Sequence, residues 1–116
     1  MEFEINNHKW TIELRPEKEL LAEYHKRRPD AWGCMGLTFY HEHKIWIAEE
    51  LCDDEKARTL RHELTHCYIW ENGFYNVDFN NEELICDFVA AIYNFIRKVW
   101  ENRSNEYRNT KQSKNI

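Results

Sequence analysis

Apolar and polar residues alternate along parts of the N-terminal half of the chain, a period of two that is typical of β-strands. Segment 3–14 reads FEINNHKWTIEL, with apolar residues on both sides of Asn6 and Asn7. It predicts either a short hairpin that turns at the asparagines or one strand with an irregular entry. Two further apolar runs, 37–40 and 45–48, flank the polar residues HEHK and predict a second hairpin.

Apolar residues spaced three and four positions apart predict two helices in the first two thirds of the chain. The first covers about 16–28, with Pro16 at a position that helix starts tolerate and Pro29 beyond its end. The second covers about 53–71. Aspartates precede its apolar stripe as candidate caps, and Gly73 stands where a C-terminal cap belongs.

A third helix is predicted after a loop at 74–80. Asn80 would cap this helix, and Glu83, three residues later, fits a capping box. Its apolar residues keep the helical period from Ile85 to about Trp100 and then give way to a polar, aperiodic sequence. We therefore expect one domain over 1–100 and a flexible polar tail over 101–116.

Composition narrows the fold class. The 116 residues include only three glycines and two prolines, fewer than the many turns of an all-β sandwich or barrel require. With 42% hydrophobic and 15% aromatic residues, the chain can bury one core. We expect an α+β fold in which a small, mainly antiparallel sheet packs on the helix at 53–71 and on the helix that follows it.

Charge and cysteine usage argue against several classes of protein. A net charge of −5 disfavours a protein that binds nucleic acid through its phosphates. No run approaches the roughly 18 apolar residues of a membrane-spanning helix, and no secretory leader is recognisable at the N-terminus. The four cysteines form no C-x-x-C pair, so we expect free thiols and a cytoplasmic location.

The sequence HELTH at 62–66 is the most specific chemical motif of the chain. Within a helix, His62 and His66 lie one turn apart on one face, so both imidazoles can reach a single Zn²⁺ ion. Glu63 lies at the neighbouring edge, where a carboxylate can take a proton from a water beside the metal. The motif predicts a zinc site with Glu63 as the general base.

A catalytic zinc site usually has three protein ligands, so a third ligand must come from elsewhere in the chain. No histidine follows His66, and Glu82 and Glu83 at the start of the last helix are the acidic candidates. Glu83 is preferred because Asp87 lies four residues later on the same face. One carboxylate would then bind the metal, and Asp87 would accept a ring N–H from a ligand histidine and fix its orientation.

HELTH at 62–66, followed by ELICDFVA at 83–90, resembles the ImmA/IrrE-type metallopeptidases, compact zincins common in phages, mobile elements and bacteria. In that family the helix with H-E-x-x-H is followed by a helix of the form E-x-x-A-N/D-x-F-A. The resemblance covers about 37–97. This chain departs from the family pattern at Cys86, where alanine is usual, and at Val89, where phenylalanine is usual.

The resemblance implies a role for each residue of the motif. His62 and His66 would be zinc ligands, Glu63 the general base and Glu83 the third ligand. The E-x-x-x-D arrangement is also similar to that of thermolysin-like gluzincins, in which the aspartate buttresses a ligand histidine. By that likeness, Asp87 would hold a ligand histidine here.

The function that this resemblance implies is a zinc-dependent endopeptidase that hydrolyses a peptide bond in an intracellular protein. In relatives the substrate is often a transcriptional repressor whose cleavage releases the genes of a mobile element. Two alternatives belong to other classes. One is a zinc-containing anti-repressor or binding module that does no hydrolysis, and the other is a toxin-like effector protease that acts on a host protein.

Four further features carry alternatives. Residues 41–43, HEH, are expected to be a solvated turn rather than a metal site, and Cys67 and Cys86 are expected to be buried structural thiols. Segment 45–48 is either core alone or a strand that pairs with an extended peptide substrate. The candidates for stabilising an oxyanion are Tyr75, Tyr93 and Arg97.

Overall fold

The computed structural model describes residues 1–73 and 78–114, except for the side chains of 79, 95 and 102–114. These residues form an α+β fold with one four-stranded sheet and three helices. In chain order the elements are β1 (Glu2–Ile5), β2 (His8–Arg15), α1 (Glu17–Tyr24), β3 (Gly36–Phe39), β4 (Lys44–Ala48), α2 (Asp53–Glu71) and α3 (Phe79–Lys114).

The sheet is mixed, with the strand order β1-β2-β4-β3. Strands β1 and β2 form an antiparallel hairpin, and so do β3 and β4, which confirms both predicted hairpins. The central strands β2 and β4 run parallel, with Ile12 opposite Ile45. Parallel neighbours need a long crossover connection, and the chain that contains α1 and β3 provides it.

The first hairpin turns at Asn6 and Asn7, whose φ angles are 51° and 70°. Two left-handed residues in a two-residue loop are typical of a type I′ turn, and asparagine adopts this conformation more easily than most residues. Segment 3–14 is therefore a hairpin and not a single strand with an irregular entry.

Both faces of β4 are covered by helices. Ile45 and Ile47 pack with Trp10 and with α2 on one face, whereas Ala48 packs with Leu20 of α1 on the other. Successive residues of a strand point to opposite faces, so this alternation places the sheet between the two helices. Burial of each large apolar side chain stabilises the fold by roughly 1.5–3 kcal/mol.

Helix α1 ends at Tyr24, so its predicted extension to Arg28 is wrong. After Tyr24 the chain tightens into a turn, in which Arg27 N donates to Tyr24 O at 2.9 Å. Such a bond, between residues three apart, is typical of a helix end. Pro29 also disfavours a helical conformation at Arg28, the residue before it. The spacing of apolar residues alone does not indicate this effect.

Helix α2 confirms the predicted helix over 53–71. Its first turn is acidic, which is favourable near the positive end of the helix dipole. At the other end Gly73 has a φ of 73° and donates its N–H to Trp70 O at 3.3 Å. Gly73 is therefore the predicted C-terminal cap, in the left-handed conformation that glycine adopts without strain.

Helix α3 is capped by Asp78 and not by Asn80. Asp78 Oδ1 accepts the backbone N–H of Asn81 at 2.9 Å, which is the usual arrangement of a helix N-cap. The predicted capping box between Asn80 and Glu83 is therefore wrong, and Glu83 instead contacts the histidines of α2. Of the predicted loop, 74–77 lies outside the described residues.

Helix α3 continues to Lys114, so the predicted end of the helix near Trp100 is wrong. An apolar period reports a packing partner, and a polar sequence without such a partner can still be helical. The helix packs on α2 through its first turns, where Cys86 and Ala90 are 0% and 1% exposed. Among the described residues no helix is long and apolar enough to cross a bilayer. Apolar residues farther along α3 are exposed, namely Ile92, Ile96, Val99 and Trp100.

Candidate metal centre

The middle of α2 faces the first turns of α3, and three side chains converge there. The Nε2 atoms of His62 and His66 are 3.2 Å apart. Glu83 of α3 places Oε1 at 2.6 Å from His66 Nε2 and Oε2 at 3.3 Å from His62 Nε2. Because residues four apart on a helix share a face, the two imidazoles meet the carboxylate as a group. The structure thus brings together the three predicted ligands.

The spacing of the two nitrogens is compatible with a zinc ion bound between them. Two nitrogens bound tetrahedrally at about 2.05 Å from zinc would be about 3.3 Å apart. The observed 3.2 Å between the Nε2 atoms of His62 and His66 is close to this value. Two imidazoles and one carboxylate are also the donor set of a known class of catalytic zinc site.

Each of these two histidines also has a carboxylate beside its other ring nitrogen. Asp87 Oδ1 lies 2.9 Å from Nδ1 of His62. Asp87 can therefore accept the ring N–H of this histidine, as the sequence predicts. Glu82 Oε2 lies 2.7 Å from Nδ1 of His66. The sequence offers Glu82 only as a rival metal ligand, and its spacing gives no signal of the contact with His66. Such contacts fix the ring orientation and the tautomer.

The carboxylates make the cluster strongly attractive for positive charge. Hydrogen bonds from His62 and His66 lower the pKa of Glu83 to about 2. Burial opposes protonation of His66, but hydrogen bonding to Cys86 and Glu83 outweighs it and raises the pKa of His66 to about 11. A divalent cation in the same place would satisfy these groups in place of protons.

Glu63 lies beside this cluster with its side chain inside the protein. The residue is only 5% exposed, and Thr38 Oγ1 donates a long hydrogen bond of 3.5 Å to its Oε2. Burial raises the pKa of Glu63, and the neighbouring His66 and His62 oppose that change. A carboxylate with a raised pKa is closer to the range in which it can accept and return a proton near neutral pH.

Gly36 allows strand β3 to approach α2 at this point. A Cβ atom at residue 36 would lie 2.6 Å from Thr59 Cγ2 and 3.0 Å from Glu63 Cγ. Both distances are shorter than ordinary carbon contacts, so a larger residue would push the strand away from the helix. The absence of a side chain at Gly36 therefore positions Glu63 against the strand.

A groove of about 920 Å³ runs over the cluster. It is bordered by β3, which is an edge strand, and it contains Glu63 and the two histidines. The alternative that 45–48 pairs with a peptide is wrong, because β4 already has β2 and β3 on its two edges. Among the described residues no strand pairs with the outer edge of β3, and this edge lies beside the groove.

Cys86 is fully buried next to the cluster, and its thiol could ligate a metal together with His62 and His66. Burial raises the pKa of this thiol, although the hydrogen bond with His66 opposes the shift. The sequence predicts Cys86 as a structural thiol only, and its contact with His66 depends on how α3 crosses α2. Cys67 is also buried, and it packs in the core beneath the sheet as predicted.

None of the predicted oxyanion candidates among the described residues lines the groove. Tyr93 lies under the guanidinium of Arg61, and Arg97 pairs with Glu101. Tyr75 lies outside the described residues. Tyr40 lines the groove, and its ring lies edge to face with that of His66, with 6.5 Å between the two ring centroids. Burial raises the pKa of Tyr40, so its hydroxyl remains a hydrogen-bond donor.

Two helices and one edge strand therefore assemble a cluster of two histidines, four carboxylates and one thiol at a groove. Comparisons of the chain with models of protein families, with curated proteins and with solved structures found no match.

Proposed function

We propose that the protein is a zinc-dependent endopeptidase. The observation that carries this proposal is the convergence of His62, His66 and Glu83 at an open groove, with the buried carboxylate of Glu63 beside them. Metal-assisted hydrolysis requires metal ligands, a general base and access for the substrate. A structural zinc site requires only the metal ligands.

In this proposal His62, His66 and Glu83 hold the metal through Nε2, Nε2 and a carboxylate oxygen. Glu82 and Asp87 orient the two imidazoles from behind, because each accepts a hydrogen bond from an Nδ1 atom. Zinc, when bound, would supply a Lewis acid that makes a water more acidic and a carbonyl more electrophilic.

Glu63 is the general base of the proposed reaction. It takes a proton from the attacking water and passes it to the amine that leaves when the peptide bond breaks. Its burial removes competing solvent, and Thr38 limits its rotation. Tyr40 is the proposed donor to the oxyanion because it lines the groove and its ring contacts that of His66.

The proposed substrate is an extended segment of another protein. The free edge of β3 can add one strand, and backbone hydrogen bonds would then hold the peptide along the groove. The resemblance to ImmA/IrrE-type enzymes makes a transcriptional repressor the first protein to test. A host protein, the target of a toxin-like effector, is the second.

Cleavage by the Glu63→Gln variant tests the proposed function. The two side chains are nearly isosteric, so zinc content and melting temperature should match the wild type. Hydrolysis of the cognate protein or of a peptide library should fall by roughly 10²–10⁴-fold, because the proton acceptor is lost. Glu55→Gln is the matched control, since Glu55 lines the groove but is exposed. Equal cleavage by wild type and Glu63→Gln contradicts the proposal.

Cys86 favours a second candidate function, a zinc-containing binding module without hydrolysis. A thiolate that joins His62, His66 and Glu83 would complete four protein ligands and leave no position for water. Zinc titration of Cys86→Ala separates the two functions. A binding module loses zinc affinity in this variant, whereas an endopeptidase keeps both its zinc and its cleavage activity.

A further inference from the structure

A second group of two histidines and a glutamate lies at the C-terminal end of α2. Glu71 is the last residue of that helix, His8 is the first residue of β2, and His43 lies in the turn between β3 and β4. One donor atom of each residue lies within 4.8 Å of the other two. None of the three lines the groove described above. We call these residues the hairpin cluster.

The carboxylate of Glu71 is fixed inside the protein. Its side chain is 4% exposed, and Trp10 Nε1 donates to Oε1 at 2.8 Å. The other oxygen, Oε2, lies 2.6 Å from His8 Nδ1. A buried carboxylate requires compensating partners, and here one is a neutral indole and the other an imidazole at the surface. The negative charge is therefore held in one place, between the indole of Trp10 and the imidazole of His8.

His43 is held in an unusual conformation that keeps it at this carboxylate. Its φ is 52°, in the left-handed region that residues with a Cβ seldom adopt. The ring stacks on Trp10 at 4.9 Å and on His8 at 5.5 Å between centroids. Its Nε2 lies 3.9 Å from Glu71 Oε1. The turn thus directs a second imidazole toward the buried charge, which a simple ion pair between His8 and Glu71 does not require.

We propose that His8, His43 and Glu71 bind a divalent cation of the zinc class at the surface. Two imidazoles and a carboxylate suit Zn²⁺, and imidazoles also suit Cu²⁺ and Ni²⁺. His8 and His43 side chains are 57% and 36% exposed, so an ion can enter from solvent with a small rotation of either ring. The bound ion would join the first hairpin, the second hairpin and the end of α2 as a clamp.

The test is a metal titration of the full chain with Zn²⁺, and with Co²⁺ as a visible-absorption probe. Wild type should bind two equivalents, and the His62→Ala/His66→Ala variant should retain one. His43→Ala should lose the second equivalent, and zinc should then raise its melting temperature less than that of wild type. If the double variant does not fold, the loss of one equivalent between wild type and His43→Ala decides the question.

His41→Ala is the matched control, because His41 lies in the same turn but contacts Trp70 instead of Glu71. This variant should bind two equivalents like the wild type. A single equivalent in wild type that is lost in His62→Ala/His66→Ala overturns the proposal. A second equivalent that survives His43→Ala, or that His41→Ala removes equally, also overturns it.

Discussion

Helix α2 carries two clusters with the same donor set and very different surroundings. Near its middle, His62 and His66 face Glu83 at a groove of about 920 Å³. At its end, Glu71 faces His8 and His43 at the surface, outside that groove. Both clusters contain two imidazoles and one carboxylate, so the donor set alone does not distinguish them.

The difference lies in what surrounds each set of donors. In the groove cluster, formed by His62, His66 and Glu83, both Nδ1 atoms meet a carboxylate and a separate buried glutamate lies alongside. In the hairpin cluster the carboxylate is instead occupied by the indole of Trp10, and the space around it is filled by stacked rings. Outer carboxylates, a buried glutamate and open space support the proposed catalysis, whereas rigid aromatic packing supports the proposed clamp.

Substituting alanine for the glutamate of each cluster should give the largest difference between the two clusters in zinc affinity, cleavage and stability. Glu83→Ala removes a proposed ligand, so zinc affinity should fall by more than the roughly 10–100-fold typical of outer partners, and cleavage should be lost. Glu71→Ala should leave cleavage intact but lower the free energy of unfolding by about 1–3 kcal/mol, because the buried indole N–H of Trp10 loses its acceptor. Zinc titration measures the affinity of both variants, and urea unfolding measures their free energy of unfolding. Loss of cleavage in Glu71→Ala, with the fold retained, contradicts the assignment.

Acid should weaken the hairpin cluster in the metal-free protein. Burial opposes ionisation of Glu71, but hydrogen bonds from Trp10 and His8 prevail and lower its pKa below the ordinary 4.5. A lowered folded-state pKa gives stability that is present above 4.5 and is lost as the pH falls through the folded-state value. The free energy of unfolding in a chelator should therefore decline below about pH 4.5. Glu71→Gln should flatten this decline relative to wild type, and parallel pH curves of the two proteins would contradict the role of Glu71.

Sequence reasoning identified the groove cluster because much of it is local. His62 and His66 lie on one turn of a helix, and Glu83 and Asp87 lie on one turn of the next. Periodicity reports such neighbours directly. The α+β class, both hairpins and the span of α2 are confirmed for the same reason.

Contacts between distant segments left no such signal. His8 and Glu71 are 63 residues apart, and nothing in the spacing of either residue indicates the other. The sequence therefore predicts only a solvated turn at 41–43. The contact of Glu82 with His66 and the position of Cys86 depend on the angle at which α3 crosses α2. The sequence does not predict the end of α1 at Tyr24 or the continuation of α3 beyond Trp100. Apolar spacing indicates which residues pack against a partner and not how long a helix is.

The two outer carboxylates of the groove cluster should differ in importance. Glu82 is 18% exposed in its side chain and bonds His66, whereas Asp87 is 69% exposed and bonds His62. Solvent screens an exposed pair, so Glu82→Ala should cost zinc affinity near the upper end of the roughly 10–100-fold range and Asp87→Ala near the lower end. Competition with a fluorescent chelator measures both. Equal losses would show that burial does not govern these contacts.

The smallest expected effect concerns the hydroxyl that touches the proposed base. Thr38 Oγ1 donates to Glu63 Oε2 at 3.5 Å, a long bond that favours the ionised carboxylate. In Thr38→Val the raised pKa of Glu63 should therefore rise further, because burial then acts with less opposition. Since the base must be ionised to accept a proton, the acid limb of kcat/KM should move to higher pH while the plateau changes little. Thr65→Val is the matched control, as the Thr65 hydroxyl bonds the backbone carbonyl of Arg61 within α2. An acid limb that stays in place in Thr38→Val, or that moves equally in Thr65→Val, would show that the hydroxyl does not tune Glu63.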